Sequence, residues 1–196
     1  VNLPDSVKRA GFIACYGCSS TSGSTWIGGT KDVDADRYVD MNARRVTIYL
    51  KSGNITENTA YCGGGFYIDE AELFLEGGSV SNNTADRGGG IYVNDTTLTI
   101  EDGEVSRNHA GLNGGGVYGY DKSIVYMKGG TVADNECESD GGGFYFGMDA
   151  GSMHMTGGNI VRNKAANDGG GIFWICSIWK YINISRLVNT IYPIHF

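Results

Sequence analysis

The sequence predicts an all-β fold: a single-stranded right-handed parallel β-helix of about five coils, each of 25–28 residues and three strands. Three observations carry this. A glycine triplet recurs in CGGGFYI, RGGGIYV, NGGGVYG, DGGGFYF and DGGGIFW, starting at Gly63, Gly88, Gly114, Gly141 and Gly169. An asparagine stands five or six residues before each triplet, as Asn58, Asn83, Asn108, Asn135 and Asn163. Between these markers apolar residues alternate with polar ones, the period of a strand, and no window of ten residues has helical spacing. A fixed period of this size marks one unit of a stacked array, in which each strand pairs with its equivalent roughly 4.8 Å away in the next coil.

Residues 1–45 precede the repeats. Asp5-Ser6 marks the start of a short capping helix, and Val39 and Met41 fall in a degenerate coil. Residues 46–174 form the array. Its first strand places Leu50, Leu75, Ile100, Met127 and Met155 in one inward column, and its second places Ile55, Val80, Val105, Val132 and Ile160 in another. The asparagine follows at a bend, where a stacked carboxamide donates to one coil and accepts from the next. Two residues on come Ala60, Ala85, Ala110, Cys137 and Ala165, so Cys137 reads as a small buried residue, with Cys62 too many coils away to pair with it. The glycines then turn the chain at a corner where a Cβ would intrude; no helix follows any copy, so they are not a phosphate-cradling loop. The third strand contributes the inward column Phe66, Ile91, Val117, Phe144 and Ile172. From 175 to 196 glycine disappears, and Trp179, Tyr181, Ile184, Leu187 and Val188 form either a lid on the last coil or a truncated tail.

Composition removes several function classes. Two prolines and no Gly-X-Y period exclude collagen and Pro-rich disorder, although glycine supplies 32 of 196 residues. A net charge of −7, with no basic cluster longer than Arg44-Arg45, argues against a nucleic-acid partner. Cys15 and Cys18 form a lone CxxC without a second pair, which reads as a local disulfide or two thiols before a zinc site. The opening VNLPDSVKRAG lacks the charge and apolar core of a signal peptide, and Lys180, Asn183, Arg186 and Asn189 interrupt the apolar tail, so no transmembrane segment is expected.

The paired segments Ile55–Asn58 with Gly63–Phe66, Val80–Asn83 with Gly88–Ile91, Val105–Asn108 with Gly114–Val117, Val132–Asn135 with Gly141–Phe144, and Ile160–Asn163 with Gly169–Ile172 resemble the FxxN and GGA-[ILV] motifs of polymorphic outer membrane protein repeats. More broadly they resemble right-handed β-helices of the pectin-lyase-like superfamily. The first motif here carries Ile or Val in place of Phe, and the second a third Gly in place of Ala. The resemblance implies a secreted or surface-exposed passenger, with adhesion as its function, and transfers no binding site.

Two outward columns offer chemistry. Counting four residues before the first inward residue of each coil gives Arg44, Asp69, Asn94, Asp121 and Asp149, which brings Asp121 and Asp149 into adjacent coils as candidate catalytic carboxylates able to share a calcium ion. The bland alternative is that these are turn formers. Asp32, Asp34 and Asp36 alternate but lack the Gly and Glu of an EF-hand loop. The second column, Tyr67, Tyr92, Tyr118, Tyr145 and Phe173, is either structural stacking or a platform for sugar rings or a protein. The expected function is an extracellular or cell-surface structural and adhesive module, with glycans or host proteins as partners and no cofactor. The alternative is a polysaccharide lyase or glycoside hydrolase acting through Asp121 and Asp149, with Ca2+.

Overall fold

The computed structural model describes residues 13–15, 37–39, 46–147, 150, 152–175 and 182–184. Five stacked coils make a parallel β-solenoid, and each coil has four strands where three were expected. The leucine sheet contains Val46–Leu50, Glu72–Leu75, Thr97–Ile100, Ile124–Met127 and Ser152–Met155. The valine sheet follows with Asn54–Thr56, Ser79–Ser81, Glu104–Ser106, Thr131–Ala133 and Asn159–Val161. Next comes the unexpected alanine sheet of Thr59–Cys62, Thr84–Arg87, His109–Asn113, Glu136–Cys137 and Lys164–Ala165. Phe66–Asp69, Ile91–Asn94, Val117–Tyr120, Phe144–Phe146 and Ile172–Trp174 close each coil as the aromatic sheet. The alanine strands escape a sequence reading because each turns one small residue inward, so the alternation that announces a strand is missing.

Among the described residues, three strands lie outside the five coils. Ile13–Cys15 pairs in parallel with Phe66–Asp69, and Ile182–Ile184 with Ser152–Met155. Arg37–Val39 runs antiparallel to Val46–Leu50, where the sequence suggested a degenerate coil. The expected helix at Asp5-Ser6, Met41, the Asp32–Asp36 run, Cys18 and the lid residues Trp179, Tyr181, Leu187 and Val188 lie outside the described residues.

All three inward apolar columns stand in register as expected. Leu75, Val80, Ile91, Ile100, Val105 and Val117 are essentially inaccessible, and each such side chain contributes about 1.5–3 kcal/mol through removal from water. Cys137 is buried in the alanine column, and both it and Cys62 are free thiols.

The asparagine column is a continuous hydrogen-bonded ladder through the corner between the valine and alanine sheets. The side chain of Asn83 donates through Nδ2 to Ile55 O (2.9 Å) and to Asn108 Oδ1 (3.1 Å), and its Oδ1 accepts from the backbone N and Nδ2 of Asn58. Asn108 and Asn135 repeat this pattern onto Asn135 and Asn163. Every donor and acceptor of these three buried carboxamides is therefore satisfied, which removes the penalty of enclosing them. The residue before each ladder asparagine, such as Arg107 at φ 53°, takes the left-handed conformation that makes the bend.

The three glycines of each triplet answer to different constraints. The first, Gly114, sits at φ 71°. A Cβ on the second, Gly115, would lie 2.5 Å from Gly142 O and 2.6 Å from Glu136 O in the next coil. One on the third, Gly116, would meet Gly143 O at 2.6 Å and the ladder amide of Asn135 at 3.0 Å. Backbones of successive coils thus touch at this corner, and only glycine lets them.

Candidate functional site

The tyrosine column is a stack of rings on the outer face of the aromatic sheet. Tyr67, Tyr92, Tyr118, Tyr145 and Phe173 follow one another at centroid distances of 5.2, 5.0, 4.7 and 5.5 Å, nearly parallel at the Tyr67–Tyr92 and Tyr92–Tyr118 steps. Rings stacked along the axis give their faces to one another and present edges outward, so the column is not a flat platform for sugar rings. Tyr118 and Tyr145 are only 7% and 6% exposed. In the last three coils the aromatic residue packs over the first glycine of its own triplet: a Cβ on Gly114, Gly141 or Gly169 would lie 3.0, 2.7 or 2.6 Å from the Cβ of Tyr118, Tyr145 or Phe173. The glycine corner and the rings that cover it are one structural unit.

Burial raises the phenol of Tyr92, with neighbouring phenols and the Cys62 thiol adding to the effect, and pushes that of Tyr118 up to about 12, with Tyr145 adding to it. Tyr145 is raised by burial and then by Asp140. The accessible aromatic groups flank the stack. Tyr120, 44% exposed, tilts against Tyr92 and Tyr118, and Tyr61, 68% exposed, accepts a hydrogen bond from Arg87 at 3.2 Å.

The carboxylate column breaks at Asp121. Asn94 Nδ2 donates to Asp69 Oδ1 at 2.8 Å, as neighbours should, but the residue paired with Asn94 in the next coil is Tyr120. One residue is inserted at this corner relative to the coil before, since Val117 to Val125 spans eight positions and Ile91 to Leu98 seven. Asp121 is displaced into the turn, where its carboxylate lies 3.5 Å from Lys122 Nζ and its carbonyl accepts from the Asp95 N–H. Asp149 lies outside the described residues, as does Arg44. Among the described residues no three His, Cys, Asp or Glu groups converge on a common metal position.

Two features escaped the sequence reading. A second aromatic column runs up the leucine sheet, Tyr49 stacked on Phe74 and Tyr126 on His154, each pair 5.0 Å apart, with buried Thr99 between the pairs. Its signal was available: these are the residues immediately before each inward leucine-column residue. The other feature is a groove of about 690 Å³ along the outer face of the valine sheet, with a glycine floor at Gly78, Gly103, Gly130 and Gly158. Asp102, Glu104, Thr131, Asn159 and Arg162 project around it. These glycines sit at φ between 70° and 93° where each coil passes from the leucine to the valine sheet.

No protein-family model, curated protein or solved structure matches this chain.

Proposed function

We propose that the chain is an extracellular or cell-surface β-helical module with a structural and adhesive role, wound right-handed in the manner of the pectin-lyase-like proteins its motifs resemble. The hand follows from the strong right-handed preference of crossovers between parallel strands, about 98%. The observation that carries the functional reading is that the repeated polar and aromatic residues bond to their own copies in adjacent coils. The asparagine amides are saturated and the tyrosine faces occupied, so the regular residues build a stiff rod and contact with other molecules falls to its non-repeated outward side chains. The partners are surface glycans or host proteins.

The test is to present the intact chain with neutral and acidic polysaccharides and with whole cells, measuring retention and new chain ends together. Retention without turnover is the expected result. Turnover that disappears in an Asp121→Asn, Asp149→Asn double variant with an unchanged melting temperature would establish the lyase or hydrolase alternative instead.

A further inference from the structure

We propose that the glycine-floored groove of the valine sheet is the binding surface of this module and that it takes a neutral, hydroxyl-rich linear glycan. The inference rests on the adhesive reading above and names its ligand and location.

The shape comes first. The groove runs from Gly78 to Asn159, across four successive coils, a span of three rises or roughly 14 Å. An extended chain matches that length and a compact ligand does not. The residue before each floor glycine is Gly77, Asp102, Gly129 and Gly157 in turn; a Cβ on Gly77, Gly129 or Gly157 would run into the Lys51, Glu101 or Lys128 carbonyl of the preceding coil, so Asp102 alone among these carries a side chain. Asp102 holds the N–H of Gly103 through Oδ1 at 2.8 Å, which fixes the carboxylate at the rim.

Hydrogen-bonding capacity comes second. Along the outward column Asn54, Ser79, Glu104, Thr131 and Asn159, the first pair satisfy each other across coils, Ser79 Oγ donating to Asn54 Oδ1 at 2.7 Å. Thr131 and Asn159 occupy equivalent adjacent positions inside the groove, yet neither side chain bonds to a protein group among the described residues. A hydroxyl and a carboxamide side by side can each donate and accept, the requirement for a sugar hydroxyl.

Charge decides the class of glycan. Arg162 is the cation of the lining, and Asp134 of the adjacent coil takes its Nε and a terminal nitrogen at 2.7 and 2.6 Å. Arg107 stands 3.7 Å from Glu104 and partly offsets it. What remains is the acceptor-rich surface of Asp102 and Glu104, which favours hydroxyl donors and repels a uronate or sulfated chain.

The experiment titrates the full chain, observed by amide chemical-shift mapping, with cellohexaose and maltohexaose as neutral probes and hexagalacturonate as the acidic one. A neutral probe should shift Asp102, Glu104, Thr131 and Asn159, and hexagalacturonate should not compete. A Thr131→Val, Asn159→Ala variant should keep the melting temperature and lose about tenfold or more in affinity, as expected for two hydrogen bonds. Neutral-glycan binding that maps elsewhere and survives the double variant would overturn the groove assignment and leave the adhesive reading intact. Preferential binding of hexagalacturonate would overturn the charge argument. No binding of either probe, with retention on cells stripped of glycan, would overturn the glycan inference in favour of a protein partner, and absence of retention on any surface would remove the adhesive reading as well.

Discussion

Asn108 makes four side-chain hydrogen bonds at once: Nδ2 to Val80 O and to Asn135 Oδ1, and Oδ1 from the backbone N and Nδ2 of Asn83. Asn108→Ala removes all four and strands the Asn83 donors in a site that excludes water, so denaturant unfolding should show a loss of about 3 kcal/mol. Cys137→Ala should change stability by less than about 1 kcal/mol in the same assay, because alanine fills that column in the other coils. Glycines separate equally sharply. Gly115→Ala forces a methyl onto two carbonyls of the next coil and should cost about 3 kcal/mol or more, whereas a Cβ on Gly111 meets nothing closer than 3.6 Å and Gly111→Ala should stay within about 0.5 kcal/mol. These residue-level roles were readable beforehand: the asparagines, the alanine column with Cys137 and the glycine corner recur at fixed spacing, and spacing is what a sequence displays. The direction in which a ring lies is not displayed. Alternation puts Tyr67, Tyr92, Tyr118 and Tyr145 in register on one face of their sheet, opposite the inward column, but says nothing of whether faces or edges meet solvent.

The sheets differ in how plainly they announce themselves. Leucine, valine and aromatic strands each turn bulky residues inward, and all three were legible; the alanine strands hold backbone bonds around a single small residue and were not. Insertions obscured the rest. Leu50 to Ile55, Leu75 to Val80, Ile100 to Val105, Met127 to Val132 and Met155 to Ile160 are all five residues, so that corner is invariant. The corner after the aromatic strand lengthens by one residue in the third coil, and Asp121 leaves the Asp69–Asn94 column as a result. The aromatic sheet also sets a pH limit. The Tyr92 and Tyr118 phenols are raised in the folded chain above their unfolded value near 10. Their stabilising contribution is complete below about pH 10 and is lost as pH climbs towards the folded values, since the unfolded chain then ionises first. Absorbance titration of the phenolates should find these two ionising well after the ordinary tyrosines, Tyr118 towards about 12, and only as the near-ultraviolet dichroism collapses. Normal titration near 10 with the dichroism intact would contradict the stacked arrangement.

The stacked array of described coils is one-dimensional: a coil contacts the coils before and after it, and stability is a sum over those neighbours. Val105 and Val117 of the third coil are inaccessible, while Ile160, Ile172 and Trp174 of the fifth are only partly buried. Amides of residues 159–174 should therefore exchange with deuterium well before those of 97–127, and uniform protection along the rod would contradict this gradient. Cross-coil ion pairs such as Lys128–Glu101 at 2.8 Å lie exposed on the surface and add little at physiological salt. The structural claim on which the functional reading depends is that the repeated polar side chains are committed to one another. Hydrogen exchange of the Asn83, Asn108 and Asn135 carboxamides, followed by nuclear magnetic resonance, addresses it directly. The ladder predicts three side-chain amide groups as slowly exchanging as the backbone amides of the third coil; exchange at the rate of solvent-exposed asparagine would show that the ladder does not form and that those amides are free for other partners.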